Sequence, residues 1–405
     1  MTRFALLLTL LLSTQLAAAQ HTVVQEIIDD ISLDSMLLWC GDITGENAVT
    51  VNGVTDTIKS RNSNNPGNER AYQYLLSKLQ SFGLEVDSQL FNISGRNLIA
   101  RQPGAVHPGK RWLLTSHYDA VGGPVLAPAA DDDGSGTVAG LEAARILSKH
   151  QFAYTIEYLF FDEEEQGLQG SAAHAQASGG NGDTLMGVIN MDAIAWDGDG
   201  DGLARIHTRP VDESEALADS IVAVHDRYNI GLNLVVNNPG ATYSDHASFW
   251  NQGFSAVLLI EDFDNDGNPH YHTETDLMQY FDLDYFHKLS RLSIASLATL
   301  AEPMEPSSVP TVPARASLRV FPNPASEQLR VQVPLNSPGQ AQLQLFNATG
   351  NCVFQQHFPA ANAPQLQASI AVDQFAPGLY FLRATQLLQN GTWSVENKRI
   401  AIAGR

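Results

Sequence analysis

Five stretches of this chain gather histidine and carboxylate residues at spacings suited to chemistry. They are Ser116-His117-Tyr118-Asp119, Asp131-Asp132-Asp133-Gly134-Ser135-Gly136, Asp162-Glu163-Glu164-Glu165-Gln166-Gly167, Asn190-Met191-Asp192 and Tyr271-His272-Thr273-Glu274-Thr275-Asp276. Taken singly, each has an ordinary explanation: an Asp at a helix start is an N-cap, and an acidic triplet is a solvated loop. Brought together, so many carboxylates are costly unless a cation compensates them. Two imidazoles with several carboxylates and no thiolate suit a pair of divalent ions such as zinc. Such a pair needs one bridging carboxylate, plus a terminal His and a terminal carboxylate for each ion. His117, Asp132, Glu165, Asp192 and His272 supply that count. Three negative ligands against two divalent ions leave one positive charge, enough to hold a hydroxide. Glu164, the spare carboxylate beside a ligand, is then the natural general base.

The elements predicted around these residues place them at one edge of a sheet. Continuous apolar runs at Trp112–Thr115, Ile156–Phe161, Met186–Met191 and Ala256–Ile260 read as buried strands. Asn68–Phe82, Gly136–Leu147, Ala216–Tyr228 and Leu277–Leu300 carry helical periodicity. Strands alternating with helices predict an α/β fold, a mixed and mostly parallel central sheet flanked by helices. In such sheets catalytic groups gather just past the strand ends, which is where the five stretches fall. Ser244-Asp245-His246 is not a nucleophile triad. Its members are contiguous, no Gly-x-Ser-x-Gly elbow occurs, and triads are assembled from distant segments. It reads as a segment lining or supporting the pocket.

Composition bounds the rest. The formal charge is −21, with 23 Lys and Arg against 44 Asp and Glu. That disfavours nucleic acid and anionic membrane as partners, since both require basic surface. The acidity is concentrated in residues 20–315, which carry −25; residues 1–19 carry +1 and residues 316–405 carry +3. Only two cysteines occur, too few for a disulfide scaffold or a Cys₄ site. Cys40 and Cys352 each read as a small buried hydrophobe. Asp197-Gly-Asp199-Gly-Asp201 resembles the start of a calcium loop. Thr208 stands where an EF-hand needs Glu, so a solvated turn is favoured over a calcium site.

The ordered motifs resemble metallopeptidase family 28, whose members include bacterial leucine-type aminopeptidases with a cocatalytic dizinc site. The series runs Ser-His-x-Asp, Asp-Asp-Gly-Ser-Gly, Glu-Glu-x-Gly-Leu-x-Gly-Ser (Glu164–Ser171), Asn-Met-Asp192, Ser244-Asp-His246 and Tyr-His-Thr-x-x-Asp276. Ile58-Lys-Ser-Arg61 and Gly67-Asn68 extend it upstream. The resemblance implies that Asp132 bridges two ions. It implies that His117 and Asp192 complete one ion, and Glu165 and His272 the other. The Tyr-His-Thr register favours His272 over His270. It implies that Glu164 is the general base and acid, and that Asp119 accepts a hydrogen bond from His117 and fixes its tautomer. The expected activity is removal of N-terminal residues from peptides. A carboxypeptidase, a one-zinc glutaminyl cyclase and a catalytically dead binding protein are the alternatives on the same scaffold.

The ends of the chain address it outward. Residues 1–19 read as a secretory signal peptide: Arg3, an apolar run over Phe4–Leu12, and Ala17-Ala18-Ala19 before Gln20. No segment predicts a membrane span. Residues 20–301 form the expected zinc exopeptidase domain, and residues 302–315, with four prolines, an extended linker. Residues 316–405 alternate apolar and polar positions between turn signals, predicting a small C-terminal β-sandwich. Val320-Phe-Pro-Asn-Pro-Ala325, Ala348-Thr-Gly350, Pro377-Gly-Leu-Tyr-Phe-Leu382 and the basic Lys398-Arg399 resemble type IX secretion sorting domains. That resemblance implies passage through periplasm and outer membrane by the type IX machinery, to a secreted or cell-surface location.

Overall fold

β-branched and aromatic runs make the strands. The computed structural model describes residues 23–123, 125–304, 318–334, 339–347, 351–361, 365–387 and 393–403. The expected signal peptide and most of the proline-rich linker lie outside the described residues. The chain divides into two compact units, Met1–Ser307 and Ser308–Arg405.

In the first unit a hairpin, β1 (Ala48–Val51) and β2 (Val54–Thr57), precedes an eight-stranded sheet. The sheet comprises β3 (Glu85–Leu90), β4 (Arg96–Gln102), β5 (His107–His117), β6 (Tyr154–Phe161), β7 (Thr184–Met191), β8 (Leu203–His207), β9 (Asn233–Asn237) and β10 (Ala256–Glu261). Their order is β3-β4-β6-β5-β7-β10-β8-β9. The middle four, β6, β5, β7 and β10, are mutually parallel. Their registers pair His117 with Phe161, Thr115 with Asn190 and Leu259 with Met191. Four carboxyl ends therefore open at one edge of the sheet, where a reversal of strand order leaves a crevice.

Helices cover both faces. Gly136–Leu147 is buried along nearly its whole length; Gly140 lets it approach Phe160, whose ring would lie 3.0 Å from an added Cβ. Leu33–Ile43 packs Met36, Trp39, Cys40 and Ile43 into the main core. Buried Glu142 ties these two helices together by accepting from Ser32 N at 2.6 Å. The C-terminal helix runs over Leu283–Leu300 and begins later than its periodicity predicts. Asp282 caps it by accepting from Tyr285 N at 2.9 Å, and Met278–Tyr280 forms a separate 3-10 turn.

The second unit contains two antiparallel sheets, of three and four strands. Leu329, Val331 and Val333 from one sheet share a core with Leu343, Leu345 and Leu382 from the other. The alternation seen in the sequence is the inward face of this sandwich. Cys40 is buried, as expected of a small hydrophobe, but Cys352 is exposed at the start of its strand, Cys352–Ala361.

Candidate metal centre

The β5 strand delivers His117 to the sheet edge, where it is 1% exposed. Its Nε2 stands 3.2 Å from Asp132 Oδ1 and 3.6 Å from Asp192 Oδ1. Its Nδ1 stands 3.3 Å from Asp119 Oδ1. On the other side, His272 Nε2 lies 3.0 Å from Asp132 Oδ2 and 2.9 Å from Glu165 Oε2. Asp132 thus turns one carboxylate oxygen toward each imidazole. His117 with Asp192, and His272 with Glu165, occupy its two flanks.

Backbone geometry chooses among neighbouring acids. Asp131 turns away from the imidazoles and accepts from Ala195 N and Asn268 Nδ2, both at 2.9 Å. Asp133 accepts from His117 N at 3.1 Å and Gly136 N at 2.9 Å. Of the triplet, only Asp132 points between the two histidines. Glu163, at φ 57°, sends its carboxylate to Asn92 Nδ2 at 2.7 Å. Asp119 is fully buried and accepts from the backbone N–H of Glu164 at 3.1 Å and of Glu165 at 3.2 Å. One carboxylate therefore sits against His117 and also holds the segment bearing Glu164 and Glu165. Glu164 Oε2 is 4.0 Å from His117 Nε2. His270 stacks on Tyr280 instead.

Sequence reasoning did not assign three supports. Asp276 accepts from the N–H of Asp131 and Asp132 at 3.0 and 3.1 Å, fixing the acidic loop from the far side. Its place in the Tyr-His-Thr-x-x-Asp pattern was the available signal. Arg61 is fully buried and donates to Tyr118 O (2.8 Å), Pro128 O (2.6 Å) and Ala129 O (2.8 Å). It fastens the end of β5 to the loop entering Asp131. Third, a cavity of about 460 Å³ opens against Glu164 and Glu165, walled by Leu168, Tyr243, Ile260, Phe263 and Tyr271. Tyr271 also stacks on His272, with ring centres 3.7 Å apart. Ser244 accepts from Asn190 Nδ2 at 2.8 Å, and His246 points to a backbone carbonyl, so the Ser-Asp-His run forms no relay.

The donor set fits paired divalent cations. Both ring nitrogens of His117 and Asp132 Oδ2 are buried and, among the described residues, make no hydrogen bond of proper geometry. Atoms in that state cost stability unless a ligand takes them up. Burial and nearby Asp132 push Glu165 up to about 7. Burial works against a charged His272, but hydrogen bonds to Asp132 and Glu165 outweigh it and hold the group at about 10. Both groups bind protons more tightly folded than unfolded, so their stabilisation is full at low pH. It is lost for Glu165 as pH rises from 4.5 to about 7, and for His272 from 6.5 to about 10. Metal-free protein should lose thermal stability steadily across that window. Bound divalent ions should flatten the dependence by replacing the protons. Parallel melts of chelated and zinc-loaded protein, pH 5 to 9, check this.

Comparison with known proteins follows the same outline. Residues 97–297 match the model of Peptidase family M28, and residues 319–398 that of the Secretion system C-terminal sorting domain. A probable leucine aminopeptidase of Trichophyton verrucosum is 30% identical over 211 residues, covering 49% of this chain and 55% of that protein. The chain thus spans about half the length of this relative. The LapA aminopeptidase of Legionella pneumophila superposes with a TM-score of 0.61 at 22% identity, over 70% of this chain and 76% of that one. A glutaminyl cyclase of Bacteroides thetaiotaomicron superposes at 0.54 and 18% identity, over 66% and 98%. These two likenesses establish the fold.

Proposed function

We propose, for a chain whose residues 97–297 belong to Peptidase family M28, a secreted dizinc aminopeptidase that removes N-terminal residues from peptides. The observation carrying this reading is Asp132, buried between two histidines, with a further carboxylate beside each. His117, Asp132 and Asp192 would hold one ion, and Asp132, Glu165 and His272 the other. When bound, such ions would acidify a water and polarise the scissile carbonyl.

The chain's own residues supply the remainder. Glu164 is 8% exposed at the cavity floor. Burial, with Asp192 and Asp245 nearby, raises its proton affinity well above the usual carboxylate range. A carboxylate so placed accepts the proton of the attacking water and returns it to the departing amine. Asp119 holds the Glu164 backbone, and its Oδ1, 3.3 Å from His117 Nδ1, would favour the imidazole proton on that nitrogen, leaving Nε2 free for an ion. The cavity's apolar wall suits a hydrophobic N-terminal side chain. Glu164 itself lines that cavity, which supports an exopeptidase.

The C-terminal sandwich is a sorting domain and directs the protein to export; passage by the type IX machinery and release from the cell complete the reading. Among the described residues no helix is long and apolar enough to cross a membrane. Of the acidic turn, Asp197 and Asp199, and not Asp201, gather with Asp266 from the segment after β10. Their carboxylates accept from Gly198, Gly200, Asp201 and Gly202 N–H groups, which supports a solvated turn; a calcium-dependent rise in melting temperature would instead indicate a cation there.

Leucyl and other aminoacyl anilides, their N-acetylated forms, and peptides with N-terminal Gln form the deciding panel. Zinc-loaded protein should hydrolyse the free-amine anilides, lose that activity to chelators and ignore the blocked forms. Cleavage confined to C-terminal residues, or cyclisation of N-terminal Gln, contradicts the assignment.

A further inference from the structure

The residue at the centre of this inference has no functional side chain. Ala241 immediately precedes the pair Thr242-Tyr243, both on the cavity wall. Its N–H donates to His207 Nδ1 at 2.9 Å, and its carbonyl accepts from His246 Nε2 at 2.9 Å. Both halves of its backbone are therefore held by imidazoles from separate elements. His207 ends β8, and His246 begins the short helix His246–Asn251.

The two rings have no other role in view. They are 3% and 0% exposed, and among the described residues neither remaining ring nitrogen, His207 Nε2 or His246 Nδ1, has a hydrogen-bond partner. An acceptor Nδ1 carries no proton, so neutral His207 is the Nε2–H tautomer; a donating Nε2 makes His246 the same tautomer. Burial lowers both groups, to about 4 and about 3, so both are neutral over the range where a peptidase would work. The surroundings are built to the same end. Arg209 Nε donates to Gly240 O at 2.9 Å, and Gly240 N donates to Thr208 O at 2.7 Å. A Cβ on Gly240 would lie 2.8 Å from His207 Cβ, so that residue must be glycine for the loop to come this close. His207 also packs edge-on against Tyr243, ring centres 5.8 Å apart, and His246 against Trp250 at 4.5 Å.

We propose that His207 and His246 are positioning residues for substrate selection, clamping Ala241 from both sides and so holding Thr242 and Tyr243 at the wall that meets the substrate's N-terminal side chain. This rests on the aminopeptidase reading of the cavity. A residue held at both its N–H and its C=O cannot rotate either flanking peptide without losing a buried hydrogen bond. The wall therefore keeps its shape without a substrate to organise it, and binding is spared the cost of ordering the loop.

The test pairs ring-conserving and bond-conserving variants. His207→Phe and His246→Phe keep the packing and delete the hydrogen bonds. His207→Asn keeps an acceptor near Nδ1, and His246→Gln keeps a donor near Nε2. Two readouts are taken on zinc-loaded protein: KM and kcat for leucyl anilide, and calorimetric Kd for L-leucine hydroxamate. Each Phe variant should raise KM and Kd about tenfold, the scale of one lost hydrogen bond, with kcat changed much less. The Asn and Gln variants should recover most of the loss. Unchanged affinities in folded Phe variants, or equal losses in all four, overturn the proposal. Where the Phe variants do not fold, ¹⁵N imidazole spectra of wild-type protein decide: Nε2–H tautomers at both positions support the clamp, and Nδ1–H on His207 refutes it. A wild-type protein that binds the hydroxamate but leaves leucyl anilide intact would defeat the aminopeptidase reading while the affinity comparison still tests the clamp.

Discussion

Glu164→Gln is expected to bind its full complement of zinc and to lose about 10²–10⁴ of kcat, the usual worth of a positioned general acid–base. The reason is local. Glu164 lines the cavity with Asp132, Glu165 and Asp192, yet Asp132, and not Glu164, lies between the two imidazoles. Its backbone is fixed by Asp119, so an amide side chain can occupy the same place without moving Glu165. What the amide cannot do is accept a proton. Metal content by emission spectroscopy and kcat on leucyl anilide separate the two effects. Normal turnover in a metal-replete variant would remove Glu164 from the reaction.

Asp132→Ala should have the opposite signature, losing metal first and activity as a consequence. Both imidazoles lie within 3.2 Å of this one carboxylate, so in the proposed dizinc centre its removal would leave each ion short of a ligand. Loss of outer partners alone commonly costs 10–100-fold in metal affinity, and a shared ligand should cost more. The variant should fold, because Asp131, Asp133 and Asp276 anchor the loop by contacts that Asp132's side chain does not make. Metal content near zero with an intact circular dichroism spectrum is the expected outcome. Retention of two ions would show that Asp132 does not bridge.

Much of this site was legible because strand ends and acidic motifs coincide. Gly136–Leu147 has the bounds its pattern predicted, and β5, β6, β7 and β10 are its four apolar runs with ragged ends added. Less legible were β3, β4, β8 and β9. These lie toward the sheet's flanks: exposure mixes polar residues into β3, Glu-Val-Asp-Ser-Gln-Leu, while β8, Leu-Ala-Arg-Ile-His, buries an Arg205 paired with Asp262 and a His207 bonded to main chain. The helix Gln169–Asn181 is built largely from Gly, Ala, Ser and Gln and has no clear apolar stripe. Within the site, residue types announced the donors and the motif register pointed to Asp132; the reason its neighbours Asp131 and Asp133 turn elsewhere needed the backbone. So did the clamp on Ala241, because hydrogen bonds to main-chain atoms leave no trace in a one-dimensional pattern. Arg61 shows the same limit. An arginine near Gly67 and Asn68 says nothing by itself of a buried guanidinium bound to three carbonyls of the loops beside the site.

The most direct measurement is a zinc titration of chelated protein, following bound metal and leucyl anilide hydrolysis in the same samples. A cocatalytic pair bridged by Asp132 predicts activity that reaches its plateau only as occupancy approaches two ions per chain, with no hydrolysis of the N-acetylated anilide at any occupancy. Full activity at one ion or none, or equal cleavage of the blocked substrate, would contradict it.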